Sequence, residues 1–188
     1  MRVSTTNSGV WTISKPLPYD LHLAGSGSAD VRASTTLPNA NLVVDVYDLD
    51  GNGTGPLISR QGHLVRNAGA STLHLDLWSA DWKLAAAHRI GVRVTDNNAD
   101  WWAFAVPTVQ KVTVAGGSVT LPFLHYRRTE TIQGDPGVQL ASYLQSRVSV
   151  PANVLNASQV DFALPPALAD APAGSVYAGG YVEPVGGG

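Results

Sequence analysis

Cysteine is absent from this chain of 188 residues. That excludes disulfides, thiolate zinc sites and thiol nucleophiles. Charge is scarce as well: 14% of residues are charged and the formal net charge is −2. A nucleic-acid partner calls for a concentrated Lys/Arg face, and the only adjacent basic pair is Arg127 and Arg128, so none is expected. No apolar run reaches the length that spans a bilayer, so no membrane partner is expected either. The opening residues lack the apolar core of a signal peptide. An exported parent needs such a leader, so Met1 reads as a start placed on an excised fragment. A cysteine-free composition suits a bacterial exported protein but also many cytosolic ones, so it decides little, and a secreted or periplasmic location is only slightly favoured over the cytoplasm.

Catalytic signatures are missing too. There is no G-x-S-x-G elbow, and Gly25-Ser26-Gly27-Ser28 has neither its spacing nor its strand-to-helix setting. There is no phosphate-binding G-x-x-x-x-G-K-[ST]. None of the five histidines (His22, His63, His74, His88, His125) forms an H-x-x-x-H pair. No catalytic residue is assigned, and the isolated chain is expected not to be an enzyme.

What the chain does have is alternation. The 44% apolar content is enough for a core, and much of it recurs with period two. Strand side chains point to opposite faces in turn, so this pattern marks strands with one buried face. Strands are expected at 21–24, 29–36, 42–49, 56–66, 71–78 and 88–96. Residues 79–87 are expected to be a loop. A hairpin is expected from 109–114 and 119–124 around Gly116-Gly117, since paired glycines favour tight turns. The expected core is Leu42, Val44, Val46, Leu73, Leu75, Leu77, Ile90, Val92, Val94, Val112, Val114, Val119 and Leu121. Roughly eight strands suit an all-β fold: a two-sheet antiparallel β-sandwich of the jelly-roll kind. Beyond residue 126 the character changes. A helix is expected over 136–148 and one more strand over 160–164. The expected division is 1–126 as sandwich, 127–168 as an extension packing on it, and 169–188 as a flexible tail.

Two motifs deserve chemistry. Asp48-Leu49-Asp50-Gly51-Asn52-Gly53 matches the first half of an EF-hand loop. Its twelfth position is Ser59 rather than a bidentate Glu, and the preceding segment alternates as a strand. A polar β-turn is therefore expected, with calcium on Asp48, Asp50 and Asn52 the alternative and no other cofactor implied. The second motif is Asp96-Asn97-Asn98-Ala99-Asp100-Trp101-Trp102. Loops at a sandwich end are held rigid by the sheets and often carry binding. Either the tryptophans plug the sandwich end or dock a partner domain, or one stacks on a sugar while Asp96, Asn97, Asn98 and Asp100 bond its hydroxyls. Of Trp101, Trp102 and Phe104, one ring is expected to be buried and another partly open.

The pieces Asp45-Val46-Tyr47-Asp48, Leu75-Asp76-Leu77-Trp78 and His88-Arg89-Ile90 carry a family resemblance. Together with the surrounding order over 13–124, the chain resembles the C-terminal domain of X-Pro dipeptidyl-peptidase and CocE/NonD-type serine hydrolases. Ala87 stands where that family usually has Gly, and the 97–102 loop departs from its Ser/Pro/Phe content. The resemblance implies a galactose-binding-like jelly roll. It also implies an accessory, non-catalytic role beside an α/β-hydrolase domain, whose parent cleaves peptides, esters or amides. The partner implied is that hydrolase domain; carbohydrate is the alternative partner, taken by a stand-alone binding module.

Overall fold

A computed structural model describes residues 9–96, 112–127 and 147–170, with the backbone of 175–178 and 181–184. Its strands are β1 (Val10–Ser14), β2 (Leu21–Gly25), β3 (Ser28–Thr35), β4 (Ala40–Leu49), β5 (Thr54–Val65), β6 (Gly69–Asp76), β7 (Ala80–Leu84), β8 (Arg89–Thr95) and β9 (Val112–Thr120). Short elements follow: β10 (Tyr126–Arg127), β11 (Arg147–Ser149), the helix α1 (Ala152–Ala157), β12 (Gln159–Val160), β13 (Ala169–Asp170), β14 (Ser175–Ala178) and β15 (Tyr181–Pro184). The fold is an all-β sandwich.

One layer is a six-stranded sheet in the order β11-β5-β4-β8-β1-β12. The facing layer holds the three-stranded sheet β6-β3-β9 and the ladder β2-β7, which touches the segment after β9 through a Leu23–Phe123 bridge. The long ladders are antiparallel; β1–β12 and β10–β13 are short parallel ones. Between the layers lie Leu42, Val44, Val46, Ile90 and Val92 from one side and Leu21, Leu23, Ala29, Val31, Leu75, Leu77 and Leu84 from the other. All thirteen expected core residues belong to this cluster or pack against it.

The structure corrects four expectations. The segment around Gly116-Gly117 is no hairpin: β9 runs straight through it, paired with β3, and its register slips between Arg32 and Ala33. Ala115 is the extra residue of a β-bulge. Glycine is needed there for approach rather than reversal, because a Cβ on Gly117 would lie 2.2 Å from the Asp30 carbonyl oxygen. Residues 79–87 contain the strand β7, and residues 10–14 form β1, for which no strand was expected. Of 160–164 only Val160 is in a strand. The helix expected over 136–148 lies outside the described residues up to 146; residues 147 and 148 are in β11.

β4 differs from its alternation in a telling way. Every one of its ten residues is buried. Its second face, expected to be open, carries Tyr47 and Leu49 and packs with Trp11, Ile13, Val148, Val150 and Leu155. The period-two pattern predicts which residues share a face, but it cannot say how many faces are covered.

Candidate functional site

β4 pairs with β8 so that Leu49 faces Arg89 and Val43 faces Thr95. The Asp50 turn therefore follows one end of this ladder, and Asp96, at the exit of β8, follows the other, about 20 Å away at ordinary strand rise. Asp96 is half-buried at that exit. Asn97, Asn98, Asp100, Trp101 and Trp102, with Phe104, lie outside the described residues.

Asp48, Asp50 and Asn52 do not converge on one point. Asp48 is buried; its Oδ1 is 2.8 Å from His88 Nδ1, and its Oδ2 accepts the Trp82 indole N–H at 2.9 Å. Asp50 turns to its own loop, where Oδ1 accepts the backbone N–H groups of Asn52 (2.8 Å) and Thr54 (3.0 Å). These bonds satisfy turn amides that the sheet leaves unpaired. Among the described residues no group of three or more His, Asp or Glu side chains is arranged to hold a metal ion.

A second cluster lies on the other face of β4, centred on Asp45, three residues before Asp48. Asp45 is fully buried and faces Arg93 across the β4–β8 ladder. Arg93 Nη2 donates to Asp45 Oδ2 at 2.6 Å, the Tyr47 hydroxyl donates to the same oxygen at 3.1 Å, and Arg60 Nε lies 3.2 Å from Oδ1. The Arg93 guanidinium also lies over two neighbouring aromatic rings, 5.8 Å from the Trp11 centroid and 5.5 Å from that of Tyr47. Burial, reinforced by the Asp45 carboxylate, pushes the Tyr47 phenol well above its ordinary range. It stays a neutral donor. The glycine of β8 belongs to this packing: a Cβ on Gly91 would come within 2.6 Å of Leu49 Cδ1 and 3.3 Å of Trp11 Cζ3.

Two further imidazoles, His22 and His74, are tied to carboxylates. His22 Nε2 is 2.6 Å from Asp81, and His74 sits between Asp30 (2.8 Å) and Asp76 (3.3 Å). The hydrogen bond and charge of Asp30 raise the His74 pKa above its usual value. An Asp–His pair such as Asp48–His88 is the orienting half of a nucleophilic triad, but a nucleophile must complete it. Among the described residues no serine hydroxyl shares a hydrogen bond with a histidine. What these clusters do chemically is fix the two-strand centre of the sheet.

The geometry also unites the pieces that carried the resemblance. Asp48 of the first piece pairs across the ladder with Ile90 of the third and holds His88. Trp78 of the second bonds β5 through its backbone: its N–H donates to Arg60 O at 3.1 Å, and its carbonyl accepts the Ser59 hydroxyl at 2.5 Å. The family model for the X-Pro dipeptidyl-peptidase C-terminal non-catalytic domain matches residues 3–137. The chain belongs to this family.

At Ala87, where the resemblance implies Gly, the backbone has φ +66°, in the left-handed region that favours glycine. No curated protein matches the chain. Among solved structures it is similar to an aminopeptidase from the marine sediment archaeon Thaumarchaeota archaeon, with TM-score 0.52, 15% identity and 64% of this chain covered. It is also similar to a selenomethionine-labelled α-amino acid ester hydrolase, with TM-score 0.51, 17% identity and 65% covered. The likeness is one of fold, and the chain spans 26% of either structure. No helix among the described residues is long and apolar enough to cross a membrane.

Sequence reasoning missed Trp82, placed in a loop, and Arg93, taken as an ordinary polar position of its strand. A signal existed for Arg93. Val92-Arg93-Val94 and Val44-Asp45-Val46 carry opposite charges at matching points of two apolar strands, the pattern of a cross-strand pair. For Trp82 the alternation of Ala80, Trp82 and Leu84 with Asp81 and Lys83 marks a strand, but nothing in line links it to Asp48, which is not its ladder partner.

Proposed function

We propose that the chain is an accessory β-sandwich module that packs on the α/β-hydrolase domain of a serine hydrolase of the X-Pro dipeptidyl-peptidase/CocE type and shapes substrate access to its active site. The observation that carries this reading is the family match over residues 3–137. Two features support it. The Asp and His side chains described above are committed to structural pairs, so the module offers a scaffold rather than a reaction centre. The structures it resembles are an aminopeptidase and an ester hydrolase, each much longer than this chain.

The test is association. The chain is mixed with an α/β-hydrolase domain of this type lacking its own C-terminal module, and complex formation is followed by size-exclusion chromatography. Hydrolysis of small and bulky X-Pro and ester substrates is then compared with and without the chain. A complex is expected, with a changed ratio of kcat/KM between small and bulky substrates. Absence of a complex at tens of micromolar sinks the packing role; a complex with an unchanged ratio sinks the access role. A glycan array run alongside distinguishes the carbohydrate-binding alternative, which predicts retention of a defined sugar by the isolated chain.

A further inference from the structure

The C-terminal segment crosses the six-stranded sheet from one edge to the other. β11 adds to the β5 edge, with Arg147 opposite Pro56 and Ser149 opposite Thr54. β12 adds to the β1 edge, with Gln159 opposite Ile13 and Val160 opposite Ser14. Five strand spacings separate the two, about 24 Å at the usual 4.7–4.9 Å. Between them α1 lies over the second face of the sheet, where Leu155, Val148 and Val150 pack with Trp11, Ile13, Tyr47 and Leu49. Backbone bonds pin both ends: Val150 N–H donates to Gly53 O and Ile13 N–H to Ser158 O, each at 2.9 Å.

The helix cannot account for its own presence. It has six residues, Pro151 at its N-cap, no side-chain cap bond and no acidic residue in its first turn. A helix that short is unstable in water by itself, because the cost of nucleation is spread over too few bonds. It exists because Leu155 is seated. The edge strands are equally dependent, since three and two residues hold only what their neighbours offer. The whole segment also lies beyond the family-matched residues 3–137. Such a segment forms and dissolves as one unit, while the long β4, β5 and β8 ladders do not depend on it for their pairing.

We infer that residues 147–160 are a clasp, a cooperative segment of this chain that occupies part of the second sheet face and caps both sheet edges against pairing with other strands. Capped edges matter because an open edge presents unpaired N–H and C=O groups to any other strand. The clasp opens below the free energy of global unfolding, and when it opens the chain becomes able to associate through β5 and β1.

Native-state hydrogen exchange on the unmodified full chain tests this. The amides of Ile13, Val150, Leu155 and Ser158, bonded to Ser158, Gly53, Pro151 and Val154 carbonyls, report the clasp. They are expected to exchange together, on the order of tenfold or more faster than the β4–β8 amides. Leu155→Asp in the full chain is expected to speed the same four, to leave the β3–β9 amides unchanged, and to produce concentration-dependent association by light scattering. Exchange at the core rate, or at four unrelated rates, overturns the inference; so does a folded Leu155→Asp chain that stays monomeric with unchanged exchange. If that variant does not fold, the comparison within the unmodified chain decides. The experiment uses the chain alone, so its failure leaves the hydrolase reading untouched.

Discussion

At the scale of single residues, this protein is held by a few polar side chains that are buried where alternation predicts an open face. Removing Asp45 leaves the buried Arg93 and the nearly buried Arg60 without its charge. Asp45→Ala is expected to cost about 3–5 kcal/mol in denaturant unfolding, the usual result of breaking a buried pair. Asp45→Ala with Arg93→Met is expected to cost less than the two single changes added together, and a sum that is simply additive refutes the coupling. Ala87 offers the opposite case. An L-residue in the left-handed region costs about 1–2 kcal/mol, and glycine's greater freedom when unfolded offsets part of the relief. Ala87→Gly is therefore expected to raise stability by about 0.5–1 kcal/mol, read as a higher denaturation midpoint. His74 is the pH-sensitive position. Its folded pKa is raised by Asp30, so whatever stability the pair contributes is complete below the ordinary imidazole value of about 6.5. That contribution is lost as pH rises through the raised folded value. An NMR titration is expected to show His74 titrating lower in Asp30→Asn than in the unmodified chain, with the smaller upward push of Asp76 remaining.

Elements show where pattern reading succeeds and where it stops. The strands of the sandwich were legible because alternation is a local consequence of the pleat, and 42–49, 71–78 and 88–96 each overlap an observed strand within the usual boundary drift. The Gly116-Gly117 pair misled because a bulge and a tight turn ask for the same residue. Only the partner strand decides between them: β3 continues opposite β9 on both sides of the glycines. Gly117→Ala tests the bulge directly. Its Cβ would meet backbone at 2.2 Å, which cannot rotate away, so β3 or β9 must shift. A loss of about 1–3 kcal/mol is expected, with exchange increased along β9 but not along β4. A tight-turn glycine pair free of this contact predicts a smaller loss, confined to the turn. The strand β7 was missed for a different reason. Ala80–Leu84 does alternate, with Ala80, Trp82 and Leu84 on the core side and Asp81 and Lys83 exposed, but five residues are a short run whose pairing depends on β2 alongside it.

For the molecule as a whole, the question is what a sandwich of a family described as non-catalytic does. The isolated chain is expected to turn over neither chromogenic esters nor X-Pro anilides, and a serine-directed fluorophosphonate probe is expected to leave it unlabelled. Stoichiometric labelling of one serine accompanied by turnover overturns the non-enzymatic reading. The sequence by itself determined the all-β class, the membership of the inner core and the family likeness. Each depends on residue order along one strand or on motifs read in line. Tertiary structure alone decided that the second face of β4 is covered, that Asp48 belongs to Trp82 and His88 while Asp50 belongs to its own turn, and that the C-terminal segment grips both edges of one sheet. Those facts depend on which distant strands become neighbours. Hydrophobic periodicity records which side of a strand is apolar, but register and sheet order are set by contacts tens of residues apart.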